Sequence, residues 1–150
     1  MALAPRTSAS MMPGRYPTAR APEFYDWAPA PPPPFYSMAY PASRCIDGDL
    51  STYCHGPQRH ENPWLSIALA DRRAVDRVEV YNRADCCYSR ISPFEVWVGD
   101  AVGSVESWNG TLCSGEEQYP PYAASTGPFT TACGGAVGDH VTIRLPGIMR

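Results

Sequence analysis

The amino-acid sequence predicts an all-β sandwich. Apolar residues fall two apart in four short stretches, turn-forming pairs separate those stretches, and nothing between them keeps a helical period over three turns. Before the first stretch, residues 1 to 41 hold ten of the seventeen prolines, Pro31 to Pro34 among them. Such a segment reads as a polyproline-II linker or disordered tail, placed at residues 1–34. Phe24, Tyr25 and Trp27 interrupt it and read as a mobile aromatic cluster. The ordered domain is expected from Phe35 onward, over residues 35–150.

The four stretches are Leu65 to Leu69, Val78 to Tyr81, Phe94 to Val98 and Val141 to Leu145. Each sends alternate side chains to one face, as a half-buried strand does. Asp47-Gly48, Asn62-Pro63, Gly99-Asp100, Asn109-Gly110 and Gly134-Gly135 supply the turns. Residues Ser104 to Thr131 read as one long polar loop. A Cys113–Cys133 bridge is expected across it, because closing a long loop removes the most unfolded-state entropy.

Composition excludes several function classes. A net charge of −3 gives no electrostatic pull toward nucleic acid or acidic membranes. No stretch approaches the roughly 18 apolar residues of a membrane span. No pair of carboxylates is placed for glycoside chemistry, and no cysteine–histidine spacing suits zinc, so no enzyme is expected. Six cysteines in 150 residues favour disulfides and an oxidising compartment, and Asn109-Gly110-Thr111 is a glycosylation triplet. Met1 to Gly14 has no apolar core of a signal peptide, so the chain reads as an interior piece of a longer secreted protein. All twelve basic residues are arginines, planar forks suited to bidentate hydrogen bonding.

One stretch concentrates chemistry. Arg83-Ala84-Asp85-Cys86-Cys87-Tyr88-Ser89-Arg90 follows the second predicted strand, on a loop at one end of the sandwich. Binding residues are commonly carried on such loops. Asp85 is placed to hold both arginine forks by charge-assisted bonds; a surface ion pair of no consequence is the plain alternative. From the residues alone Cys86 and Cys87 have three open readings: free thiols, halves of two bridges, or a bridge to each other. Upstream, His55 stands in a turn-rich stretch before Asn62-Pro63-Trp64. Arginine donors, an apolar sulfur plate and a histidine suit an uncharged polyol, which offers hydroxyls on one side and C–H groups on the other.

The stretch resembles the F-type (fucolectin) lectins, whose signature is a histidine followed about two dozen residues later by R-x-D-x4-R or K. Arg83 to Arg90 fits the second part without a gap, His55 is the best match for the histidine, and His60 sits too close. Cys45 to Asp49, Asn62 to Trp64, Phe94 to Gly99 and His140 to Gly147 agree with the wider frame, so the resemblance covers about residues 36–147. The fold it implies is a discoidin-like (galactose-binding-like) jelly-roll sandwich. The function it implies is recognition of L-fucose in fucosylated glycans or glycoproteins. In that reading His55, Arg83 and Arg90 hydrogen-bond the sugar and Asp85 orients the arginines. A vicinal Cys86–Cys87 disulfide packs on the apolar edge, and Tyr53 lines a pocket for the C6 methyl.

The family also implies a structural calcium beside the Ile46-Asp47-Gly48 loop. Asp47 and Asp49 match its side-chain positions, and oxygen-rich loops suit calcium. Arg44 stands where a carbonyl-type side chain is usual, so its backbone oxygen would serve; ordinary turn-forming is the other role for the two aspartates. The family's last strand, with its Cys-Glu pair, is absent before Ile148-Met149-Arg150, which reads as truncation and leaves Cys54 to bridge Cys45 or stay free. The alternatives to a lectin are a discoidin-type adhesion module for protein or lipid, and a degenerate copy that targets a larger protein. The oligomeric state is not legible.

Overall fold

A computed structural model describes residues 3–6, 18–20, 40–55, 61–117 and 126–147. The expected boundary at Phe35, the aromatic cluster at 24–27 and His60 lie outside them. Six strands form one antiparallel system: β1 (Leu3–Arg6), β2 (Thr18–Arg20), β3 (Trp64–Asn82), β4 (Phe94–Gly99), β5 (Gly110–Glu117) and β6 (Phe129–Arg144). The order is β1-β3-β6-β4-β5, with β2 paired to β3 off that path. Strands therefore also occur within the proline-rich segment, where β1 pairs with the end of β3 and β2 with its beginning.

β3 joins two of the predicted strands into one. Its middle, Asp71-Arg72-Arg73, has no apolar alternation because it is charged throughout, with Asp71 and Arg72 exposed, Arg73 half-buried, and the arginines paired to acids: Arg72 with Asp100 and Arg73 with Asp71. The β3–β6 register shifts twice, between Ala68 and Arg73 and between Val75 and Arg77. The second shift explains why Val75 and Val78, three residues apart, are both buried. Opposite it, Gly134 and Gly135 adopt φ of 58° and 83°, so this pair marks a bulge inside β6 and not a turn between strands. Bends of this kind let a long strand serve both halves of a folded sheet.

One core fills the interior. Ile67, Val78, Val80, Phe94, Val96, Val141 and Ile143 are fully buried within a single cluster drawn from both halves of β3, from β4 and from the second half of β6. Each such side chain stabilises the fold by about 1.5–3 kcal/mol on burial. Two of the hydroxyls taken inside are matched: those of Ser66 and Thr142 lie 2.9 Å apart, and Ser66 also accepts the Gly103 amide, whereas the buried Thr131 hydroxyl has no partner among the described residues.

β5 overturns the reading of 104–131 as one loop. Only Cys113 of its described side chains is buried, while Thr111 and Leu112 are exposed, so no alternation announces it. It forms because the β4–β5 hairpin brings Gly110 opposite Gly99, and because Cys113 is bridged to Cys133 on β6.

The Asn62-Pro63-Trp64 turn clamps the chain where it leaves β6. The Asn62 amide donates to the Gly147 carbonyl at 2.7 Å, the Gly147 amide returns to Asn62 Oδ1 at 2.8 Å, and Leu145 donates to Pro63. Among the described residues no helix is long and apolar enough to cross a membrane.

Candidate functional site

β3 ends at Asn82, whose side chain organises the loop beyond it. Asn82 Oδ1 accepts the Arg83 amide at 2.9 Å, and its Nδ2 donates to the Tyr88 carbonyl at 3.0 Å. Tyr88 closes the bracket by donating its hydroxyl to the Ala84 carbonyl at 2.7 Å. Inside this bracket Cys86 and Cys87 are bridged to each other. Cys87 sits at φ 64°, in the left-handed region that non-glycine residues seldom adopt. A 3-10 turn over Tyr88–Ile91 follows, and the Arg90 amide donates to the Cys87 carbonyl.

Arg83 is the most constrained cation of the site. Its side chain is only 10% exposed. Nε and Nη2 grip the two oxygens of Asp85 as a fork, and Nη2 also reaches the Tyr53 hydroxyl at 3.3 Å. The guanidinium lies over the Tyr53 ring, 4.3 Å from its centre, a stacking that stabilises a cation. A guanidinium has five N–H donors. Those on Nε and Nη2 are engaged, while the two on Nη1 have no partner among the described residues. The Arg90 guanidinium likewise has no ion-pair partner among them.

The hydrogen bond from Arg83 holds Asp85 down to about 2, from an ordinary 3.8. Because the folded value is the lower one, the Arg83–Asp85 contribution is fully present above pH 3.8 and fades as pH falls through about 2. A carboxyl-detected NMR titration is expected to show Asp85 ionised to about pH 2, rising toward its ordinary value in Arg83→Ala. An unshifted Asp85 in the native protein would contradict the fork.

Tyr53 is itself supported. It stacks on Tyr40 with ring centres 4.5 Å apart and planes 12° from parallel. A hydrogen bond with Tyr40, and then burial, raise the Tyr53 phenol above its usual range, so it remains protonated beneath Arg83. His55 joins the same row: its amide donates to the Tyr40 carbonyl at 3.2 Å, and its ring lies 6.3 Å from that of Tyr40. Arg83, Tyr53, Tyr40 and His55 thus form a continuous row from the end of β3 to the 40–55 segment. Leu50, Thr52, Tyr53, Tyr81, Arg83 and Thr126 line a shallow cleft at its Arg83 end.

The structure therefore brings Arg83, Asp85 and Tyr53 into direct contact, with Cys86–Cys87 within the bracket and Arg90 one turn beyond. Tyr53 lies under Arg83 as a platform. Tyr40, Asn82 and Tyr88 were not singled out from the sequence. An asparagine closing a strand beside an arginine was a usable signal for Asn82; nothing local marks Tyr40, whose partners come together only on folding.

Cys45 and Cys54, both buried, are bridged and hold the ends of the acidic loop. Within it Asp47 Oδ1 accepts the Asp49 amide and Oδ2 the Thr52 hydroxyl, while Asp49 Oδ1 accepts the amide and hydroxyl of Ser51. The Ser51 bonds lower the Asp49 pKa. Each carboxylate keeps lone pairs beyond these bonds, and both are exposed hard oxygen donors of the kind calcium takes. Among the described residues no third acidic, histidine or cysteine ligand joins them, so the remaining donors would be backbone carbonyls. The Arg44 side chain turns away from this role and lies 5.8 Å over the Tyr40 ring, leaving its backbone oxygen.

Loop-borne donors at the end of an antiparallel β scaffold define a binding module. The profile of the NedA-like, galactose-binding domain matches residues 44–143, most of the chain. Fucolectin-4 of Anguilla japonica is 31% identical over 118 residues, covering 71% of this chain and 60% of the relative. The pentraxin fusion protein of Xenopus laevis is 32% identical over 117 residues, covering 75% of this chain and 27% of that protein. The crystal structure of a serum F-lectin (fucolectin) from Morone saxatilis superposes with a TM-score of 0.63 at 23% identity, over 77% of this chain and 40% of that one. The chain belongs to the family of NedA-like, galactose-binding domains, and its discoidin-like fold is shared with the serum F-lectin. It spans less than two thirds of the length of each of these relatives.

Proposed function

We propose that this domain binds carbohydrate without catalysis, and that its ligand is L-fucose at the ends of fucosylated glycans or glycoproteins outside the cell. The observation that carries the reading is Arg83. Its fork is fixed from one side by Asp85 and from below by Tyr53, with both Nη1 hydrogens unpartnered among the described residues. A cation held this way loses little conformational freedom on binding, and its planar donors match adjacent hydroxyls of a sugar. The Cys86–Cys87 bridge supplies the apolar plate for the C–H edge, and Arg90 and His55 supply the remaining donors. The fucolectin relatives and the R-x-D-x4-R stretch support fucose as the sugar.

The test is retention on immobilised L-fucose and elution by free L-fucose. Wild type is retained, and His55→Ala or Arg90→Ala each weakens retention roughly 10- to 100-fold, the effect of a charge-assisted hydrogen bond worth about 1.5–3 kcal/mol. A folded wild type that flows through would refute the lectin reading. Binding to protein or lipid surfaces by that same preparation would favour an adhesion module instead.

Calcium belongs to the same proposal as a structural ion held by Asp47, Asp49 and loop carbonyls. Millimolar calcium is expected to raise the melting temperature by a few degrees, because a ligand of the native state stabilises it by mass action. Magnesium should do less, and Asp49→Ala should erase the shift. An unchanged melting curve would rule calcium out.

A further inference from the structure

The β4–β5 connection has two features that the sugar site does not use. Trp108 is 82% exposed, with Val102 and Leu112 also exposed on the same hairpin. An indole left so open, on a hairpin with further exposed apolar side chains, is a candidate for cover by another group. On the same hairpin stands the acceptor triplet Asn109-Gly110-Thr111.

The geometry readies that triplet for modification. The Asn109 and Gly110 amides both donate to the Glu106 carbonyl at 2.9 Å, and Asn109 Oδ1 accepts the Glu106 amide at 3.0 Å. The carboxamide oxygen is thereby engaged, while Nδ2, the atom that carries an N-linked sugar, has no partner among the described residues. Thr111 is exposed on β5, the last strand in the sheet order. Asn109 is half-buried, and neither residue belongs to the core.

We propose that Asn109 is N-glycosylated when the chain passes through a eukaryotic secretory pathway, and that the glycan lies over Trp108. The donor would be a lipid-pyrophosphate-linked oligosaccharide. Asn109 Nδ2 attacks C1 of its first sugar and forms the C1–N bond. The C1–O bond to pyrophosphate breaks, its electron pair leaves with the lipid pyrophosphate, and the Nδ2 proton passes to a base of the transferase. The C–H face of the attached sugar then covers the indole, and the glycan's bulk keeps other strands from pairing with the exposed edge of β5.

The test uses the full chain secreted from a eukaryotic cell line. The intact mass is expected to exceed that of the polypeptide by a core glycan, and peptide N-glycosidase should remove it and leave aspartate at position 109. Thr111→Ala abolishes the modification with Asn109 and its turn unchanged, while Thr111→Ser retains it. Iodide quenching of Trp108, read as the difference from Trp108→Phe, should rise several-fold after the glycan is removed. A secreted wild type with an unmodified Asn109 would overturn the site. Equal quenching with and without the glycan would overturn the covering of Trp108.

Discussion

Arg83→Ala is expected to abolish retention on immobilised L-fucose while leaving a cooperative unfolding transition. The two Nη1 donors, unpartnered among the described residues and worth about 1.5–3 kcal/mol each in charge-assisted bonds, put the loss of affinity at ~100-fold or more. The fold should tolerate the change because Asp85, the partner left behind, is 60% exposed and returns to water. An ion pair with one partner so open contributes little to stability, since solvent screens it. Arg83→Lys distinguishes charge from shape. A lysine keeps the cation but loses the planar fork that grips Asp85, so it should not restore binding. Full binding by Arg83→Lys would mean that the site needs only a positive charge.

Removing the Cys113–Cys133 bridge with paired alanines is expected to have the largest effect on stability. The bridge spans a sequence separation of 20 and joins the edge strand β5 to the first half of β6. Opening a loop of that length costs about 3 kcal/mol in the chain-entropy account. At ~2–4 °C per kcal/mol for a domain near this size, the melting temperature should fall by roughly 10 °C. β5 contributes few buried side chains of its own, so hydrogen exchange of the 110–117 amides should accelerate ahead of that of β4 or β6. An unchanged melting temperature would show that the β4–β5 hairpin holds without the bridge.

How much of this was legible in the sequence depends on where each strand buries its side chains. Phe94, Val96 and Val98 face the core, so β4 was readable from alternation alone. β5 was not, because its hold on the fold is backbone pairing and a single buried cysteine. The middle of β3 was hidden for a related reason. Asp71, Arg72 and Arg73 are strand residues held by charge pairing rather than by an apolar face, Arg73 with Asp71 beside it and Arg72 with Asp100 beyond β4. Gly134 and Gly135 read as a turn because positive φ is common to turns and bulges, and only the pairing of Ala132 with Arg77 tells the two apart.

The site divides along the same line. Arg83, Asp85, Cys86, Cys87 and Arg90 are contiguous, so their spacing alone marked the cluster. The aromatic row beneath Arg83 is built from Tyr40 and Tyr53, far from it in sequence and joined to it only by the fold. That row, with Asp85, explains how a loop arginine becomes almost fully covered.

The central claim is that this domain reads fucose through an arginine fixed in advance. A glycan array probed in parallel with wild type and Arg83→Ala tests it most directly. The expected result is wild-type signal confined to fucose-terminated glycans and absent from their defucosylated counterparts, with Arg83→Ala silent throughout. Wild-type signal that ignores fucose, or an Arg83→Ala protein with an unaltered pattern, would contradict it.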